Sequence, residues 1–261
     1  MFECYLIDVE GTIVTDKSYT PIAGAIDWLN RLHSSGKNFC LVTNNTTHKP
    51  KDLLALLWRI GFELDEKNLH SCLSVALNWL KENRTENCFV LGSNGLKKFL
   101  KENGIKLNNE NIQAVLVGLD EKLNYNKLKI ATSGLIKDDA FLLALHANRI
   151  YKDKNGQIAP SVGAVVKALE YATGKKALVL GKPSETFYLA VLNRLSSLPE
   201  KTLMISDDPF SDLLGAKKLG MKTAFVLSGK YRDKDILNEI ETRFYPDFVY
   251  DNITQIEMRS I

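Results

Sequence analysis

The stretch Cys4-Tyr5-Leu6-Ile7-Asp8-Val9-Glu10-Gly11-Thr12 decides the fold. Its apolar residues run up to Asp8, and a short apolar run ended by a glycine predicts a buried strand of a parallel sheet. Two carboxylates, Asp8 and Glu10, stand two positions apart where that strand ends. Ligands of open α/β sheets bind beyond the carboxyl ends of the strands, so Asp8 is expected where a ligand can reach it. Read alone, the stretch fits equally well a strand that happens to end in acidic residues.

The segments that follow repeat the pattern. Ile26, Leu29 and Leu32 have helical spacing, stopped by Ser35-Gly36, and Phe39-Cys40-Leu41-Val42 is the next apolar strand, ending in Thr43-Asn44-Asn45. Pro50 opens a helix carrying Leu53, Leu54 and Leu57, closed by Gly61. Strand–helix–strand–helix is the order of parallel α/β folds. Strands are predicted in the middle at Cys88–Gly92, Ala114–Gly118 and Phe141–Leu145, with a hairpin from Arg149 to Ile158 turning at Asn155-Gly156. A helix from Val162 to Tyr171 follows, ended by Gly174. Ala177–Gly181 reads as the return of the first pattern, followed by Lys182-Pro183-Ser184. Thr202–Ser206 is a strand that again ends in carboxylates, Asp207 and Asp208, with Asp212 at the start of the next helix. Ala224–Leu227 and Phe248–Tyr250 close the sheet.

Composition narrows the classes. The chain has 261 residues, 45% hydrophobic and 25% charged, which is ordinary for a soluble globular protein. A net charge of +3 with scattered Lys and Arg argues against nucleic acid or a membrane surface as partner. The four cysteines stand at neither metal-ligand nor redox spacing, and Cys4 and Cys40 read as small core residues. No signal peptide or membrane-length apolar run is apparent, so a reduced, cytoplasmic protein is expected. Trp28 and Trp58 are expected in the core, and His146 reads as structural before substrate-facing.

Four strand ends therefore offer complementary chemistry: Asp8 with Glu10, Thr43-Asn44, Lys182, and Asp207 with Asp208 or Asp212. Strands of one parallel sheet place these ends along one edge. Carboxylates with a lysine and a hydroxyl suit a magnesium ion and a phosphoryl group, because magnesium takes a few carboxylates, waters and phosphate oxygens. Singly each has a plainer reading: Asn44 in a turn, Lys182 in solvent, Asp212 as a helix N-cap.

In this order the four groups resemble the haloacid dehalogenase superfamily of phosphatases. Gly181-Lys182-Pro183-Ser184 and Thr43-Asn44-Asn45 are similar to its subfamily IIA, the NagD-like branch of sugar-phosphate and p-nitrophenylphosphate phosphatases. The segments Tyr151–Gly156, Ala168–Ala172 and Met204–Tyr231 resemble phospholysine/phosphohistidine/pyrophosphate phosphatases and their relatives. The resemblance implies a Rossmann-like core of residues 1–70 and 176–261 with an α/β cap of 71–175 inserted. It implies Asp8 as the nucleophile that forms an aspartyl-phosphate and Glu10 as general acid and base, its backbone carbonyl on the metal. Thr43 and the Asn44 N–H would hold phosphate oxygens, Lys182 would neutralise the phosphoryl group, and Asp207 would bind Mg2+ directly. Asp212 would act through water or by orienting other ligands. The substrate implied is a small phosphorylated metabolite, and a homodimer is compatible with the sequence. Two positions depart from the family pattern: Glu10 replaces its second aspartate, as in the enolase-phosphatase branch, and Ser206 replaces a glycine. On these departures rests an alternative reading, a phospho-ligand-binding regulatory protein with weakened catalysis.

Overall fold

The computed structural model of the chain describes residues 2–15, 18–152 and 157–257. In chain order its strands are β1 (Cys4–Asp8), β2 (Asn38–Thr43), β3 (Leu69–Ser71), β4 (Asn87–Leu91), β5 (Lys106–Leu107), β6 (Ala114–Val117), β7 (Phe141–Ala144), β8 (Ile150–Lys152), β9 (Ile158–Pro160), β10 (Leu178–Val179), β11 (Thr202–Ser206), β12 (Lys222–Val226) and β13 (Phe248–Tyr250). Its α-helices are α1 (Ala25–Ser34), α2 (Pro50–Arg59), α3 (Cys72–Glu82), α4 (Asn94–Glu102), α5 (Tyr125–Lys137), α6 (Val162–Thr173), α7 (Glu185–Arg194) and α8 (Leu214–Lys218). The chain divides into two compact units, Met1–Thr43 with Lys51–His70 and Lys182–Ile261, and Asn44–Pro50 with Ser71–Gly181.

The first unit is organised by β1, buried at every residue. Among the described residues its sheet runs β13-β12-β11-β1-β2-β3, and β1 lies parallel to both β11 and β2. Ile7 faces Ile205 and Asp8 faces Val42, so Asp8 leaves β1 level with Ser206 on one side and one step before Thr43 on the other. Helix α1 buries Ala25, Trp28, Leu29 and Leu32, which lie three and four positions apart on one face. Trp28 fills the core as expected, its indole N–H donating to the Ile256 carbonyl at 2.8 Å. Trp58 does not: it is 68% exposed. Helix α2 turns Leu53 and Leu57 inward, and the next residue points about 100° round the helix, away from them.

The second unit has its own parallel sheet, β10-β7-β6-β4-β5 among the described residues, and its own apolar core around Phe89, Leu91, Val115, Val117, Leu142 and Val166. The expected return of the first pattern at 176 is corrected here. Leu178 and Val179 pair with Leu143 and Ala144 of β7, so this strand closes the edge of the second sheet. The boundary lies at Lys182, and residues 44–50 also belong with the second unit. Strands β8 and β9 pair antiparallel as a hairpin. The turn expected at Asn155-Gly156 lies outside the described residues.

Candidate active site

Lys182 is the hub of the first unit's strand ends. It is 2% exposed, and its ammonium donates to Asp8 Oδ1 at 2.5 Å, to Asp212 Oδ2 at 2.6 Å and to the Val42 carbonyl at 3.0 Å. Burial works against its charge, but Asp212 and Asp8 outweigh burial and hold its pKa above the usual lysine value. The Asp8 carboxyl titrates well above the usual range. Burial is the main cause, Lys182 opposes it, and Asp212, Asp207 and Glu10 add their repulsion.

Asp212 is set by a single π-helical turn, Pro209–Leu213. Asp208 caps that turn, Oδ1 accepting from the backbone N–H groups of Phe210 at 3.1 Å and Ser211 at 3.0 Å. The Ser206 hydroxyl donates to Asp212 Oδ2 at 2.8 Å, and the Tyr188 hydroxyl donates to the Asp212 carbonyl at 2.7 Å. The residue that replaces the family's glycine is thus bonded into the site.

Asp207 sits in a cradle of backbone. Its Oδ2 accepts from the Lys230 N–H at 2.7 Å. A Cβ at Gly11 would lie 2.6 Å from its Cγ and one at Gly229 2.5 Å, so glycine is the residue that fits at both positions. The Lys230 ammonium reaches Asp208 Oδ2 at 2.6 Å. Burial pushes the Asp207 carboxyl up to about 6; Lys230 opposes the shift, while Asp208 and Asp212 add to it.

Glu10 is held from two sides. Tyr19 donates its phenol hydroxyl to Oε1 at 2.9 Å, and Thr43 donates Oγ1 to Oε2 at 3.0 Å. Of the residues expected at the site, Asp8, Glu10, Thr43, Lys182, Asp207 and Asp212 therefore lie within one unit. Asn44 belongs to the second unit, where its side chain packs so closely on Gly181 that no Cβ would fit there. In that unit His146 is buried, its Nδ1 accepting from the Asn148 N–H at 3.3 Å. Asp120 is a loop staple, paired with Lys127 at 2.7 Å.

A family model described as haloacid dehalogenase-like hydrolase matches residues 5–106, and a second, described as HAD-hydrolase-like, matches 179–256. Haloacid dehalogenase-like hydrolase domain-containing protein 2 of Mus musculus is 36% identical over 231 residues, 88% of this chain and 86% of that protein. The phospholysine phosphohistidine inorganic pyrophosphate phosphatase of Xenopus laevis is 32% identical over 88% of this chain and 85% of its own length. Among solved structures, a p-nitrophenyl phosphatase from Archaeoglobus fulgidus superposes with a TM-score of 0.86 at 26% identity, covering 96% of each chain. The chain belongs to the haloacid dehalogenase-like hydrolase family. Within it, the relatives and neighbours place it among the phosphatases of subfamily IIA.

The site can be tested against the magnesium ion that this family generally uses. Among the described residues no three His, Cys, Asp or Glu side chains converge into a ready-made cage. Magnesium does not need one: it is usually held by one or two carboxylates and completes its shell with waters and phosphate oxygens. The donor set is all hard oxygen. Asp8, Glu10, Asp207, Asp208 and Asp212 meet two ammonium groups, and the upward shifts of Asp8 and Asp207, caused first by burial, are added to by the repulsion of the neighbouring carboxylates. A divalent cation relieves that repulsion, so the residues fit the ion. Asp8, Asp207 and Asp212 each have one carboxylate oxygen engaged within the protein, Asp8 Oδ1 and Asp212 Oδ2 by Lys182 and Asp207 Oδ2 by the Lys230 N–H. Among the described residues no helix is long and apolar enough to cross a membrane.

Proposed function

We propose that this phosphatase hydrolyses phosphate monoesters of small metabolites in a magnesium-dependent reaction that passes through an aspartyl-phosphate on Asp8. The observation that carries the reading is the buried Asp8–Lys182–Asp212 bridge, which fixes a carboxylate at the end of the central strand. An Asp8 oxygen would attack phosphorus while the ester oxygen leaves, taking a proton from Glu10. Water would then give a proton to Glu10 and attack the same phosphorus, releasing inorganic phosphate and restoring Asp8. Lys182 would meet the negative charge of the transferring phosphoryl group, while the Thr43 hydroxyl stays on the Glu10 carboxyl. Asp8 and Asp207, with Asp212 orienting them, would hold a magnesium ion, whose positive charge would favour ionised Asp8 and offset the phosphate oxygens.

The test is Asp8→Asn, which keeps the side chain's size and removes the nucleophile. Turnover of p-nitrophenyl phosphate should vanish while the thermal unfolding midpoint stays within a few degrees, and the parent should lose activity on chelation of divalent metal. An active Asp8→Asn variant would remove the covalent step. Binding of p-nitrophenyl phosphate to the parent without phosphate release would favour the regulatory alternative. The relatives' name includes phospholysine, phosphohistidine and pyrophosphate, so a substrate panel should hold P–N and P–O–P compounds beside the monoesters.

A further inference from the structure

Tyr19 stands in the left-handed backbone region, with φ at 53°. A residue with a Cβ adopts that conformation only where the surrounding structure holds it there. Here hydrogen bonds among the described residues around it do so. Gly11 N–H donates to the Val14 carbonyl at 2.7 Å, Thr15 N–H to the Thr20 carbonyl at 2.8 Å, and Ile22 N–H to the Ile13 carbonyl at 3.0 Å. Val14 bridges to Glu10 on one side and to Pro21 on the other. Tyr19 is 9% exposed, and its hydroxyl donates to Glu10 Oε1, 2.9 Å away. Thr43 approaches the other oxygen of the same carboxyl.

Glutamate has one more torsion than the aspartate of the family pattern, and an acid–base group with an extra rotatable bond spends less time where its proton is needed. A donor on each oxygen removes that freedom. We propose that Tyr19 is a positioning residue for phosphate-ester hydrolysis, its hydroxyl fixing the longer Glu10 carboxyl where it exchanges a proton with the leaving oxygen and the attacking water. The proposal rests on Glu10 being the acid and base of the reaction.

The experiment uses the full chain as parent, Tyr19→Phe, Glu10→Gln and the double variant, each assayed on p-nitrophenyl phosphate and on a simple alkyl phosphate. The alkyl leaving group needs protonation far more than p-nitrophenolate does. Glu10→Gln should therefore lose about 10² to 10⁴ in kcat on the alkyl ester and less on the aryl ester. Tyr19→Phe, which keeps the ring and its packing, should lose about tenfold on the alkyl ester, the order expected for one hydrogen bond to a carboxylate. It should lose under threefold on the aryl ester, with KM for both unchanged. In the Glu10→Gln background Tyr19→Phe should have no further effect. Equal losses on the two esters, or an undiminished effect in that background, would mark Tyr19 as a folding residue only. If Tyr19→Phe unfolds, Glu10→Asp supplies a second arm. The shorter acid withdraws from the phenol, so it should lose rate on the alkyl ester by about the same tenfold; full retention there overturns the proposal. A Glu10→Gln variant as fast as the parent on the alkyl ester would overturn the acid–base reading itself and Tyr19's role with it. A slowed Glu10→Gln beside an unaffected Tyr19→Phe would overturn Tyr19's role alone.

Discussion

At the scale of single residues the site is a problem of buried charge. Lys182 is the buried cation between Asp8 and Asp212. Removing one partner of such a cluster leaves carboxylates in a medium that cannot solvate them. Lys182→Met should destabilise the protein by about 3 kcal/mol near pH 8. The deficit should shrink toward pH 5. Burial, with Asp212, Asp207 and Glu10 adding to it, already raises the folded-state pKa of Asp8 above its unfolded value, and loss of Lys182 raises it further. The native state then binds more protons than the unfolded state between those two values, so its stability falls as pH rises through that window. Urea melts of parent and variant at pH 5 and pH 8, with metal chelated, measure this; equal deficits would mean that Lys182 contributes packing alone. Asp8 and Asp207 were legible in the sequence because each follows an apolar run of the sheet around β1, whose strand ends converge. Lys182 also follows an apolar run, but that run, β10, pairs with β7 in the other sheet, so its place beside Asp8 was not a matter of shared strand ends. Tyr19 and Lys230 were not legible. Each reaches its carboxylate from a loop, nine residues from Glu10 and 22 from Asp208, and loops carry no period that would disclose such a contact. Ser206 was legible only as a departure from a pattern; its bond to Asp212 required coordinates.

At the scale of elements, the loop after β12 acts on the end of β11. Lys230 is tied to Asp208 by its ammonium and to Asp207 by its backbone N–H, while Gly229 lets the Asp207 carboxyl lie flat against the chain. A methyl group at 229 cannot share that space, so Gly229→Ala must turn the Asp207 side chain out of its present rotamer. Disturbing the groups that orient a metal ligand typically weakens metal affinity by about 10- to 100-fold. Magnesium binding measured by titration calorimetry should weaken by that order, while the thermal midpoint without metal moves little; unchanged binding would show that Asp207 does not hold the ion. Strands and helices were legible from apolar runs and helical spacing, since these are local. Which sheet a strand joins is not local. Ala177–Gly181 has the same apolar look as β1, and its pairing with β7 is set by contacts over thirty residues away in sequence. Trp58 was misjudged for a related reason: α2 presents several apolar residues, and the packing partner selects which of them face inward.

At the scale of the whole molecule, the insertion carries the elements of an independent fold. Residues 71–181 contain a parallel sheet, helices α3 to α6 and a separate apolar core, and among the described residues no strand of that sheet pairs with the sheet around β1. A segment of this size with its own core is within the range of domains that fold alone. A fragment Ser71–Gly181 should therefore give native-like circular dichroism and a single cooperative melt. Its end point matters. A fragment stopped at Lys175 loses β10 with its pairing to β7, the Leu180 N–H bond to the Ala144 carbonyl at 2.8 Å, and Leu180, which is fully buried. Burying a leucine side chain contributes about 1.5–3 kcal/mol, and the exposed edge of β7 gains unpaired backbone groups. The shorter fragment should thus be less stable by at least about 2 kcal/mol, or fail to melt cooperatively. Urea unfolding of the two fragments side by side decides the point. Equal stability would mean that residues 176–181 are a linker, and a Ser71–Gly181 fragment without a cooperative transition would mean that the second unit depends on the rest of the chain to fold.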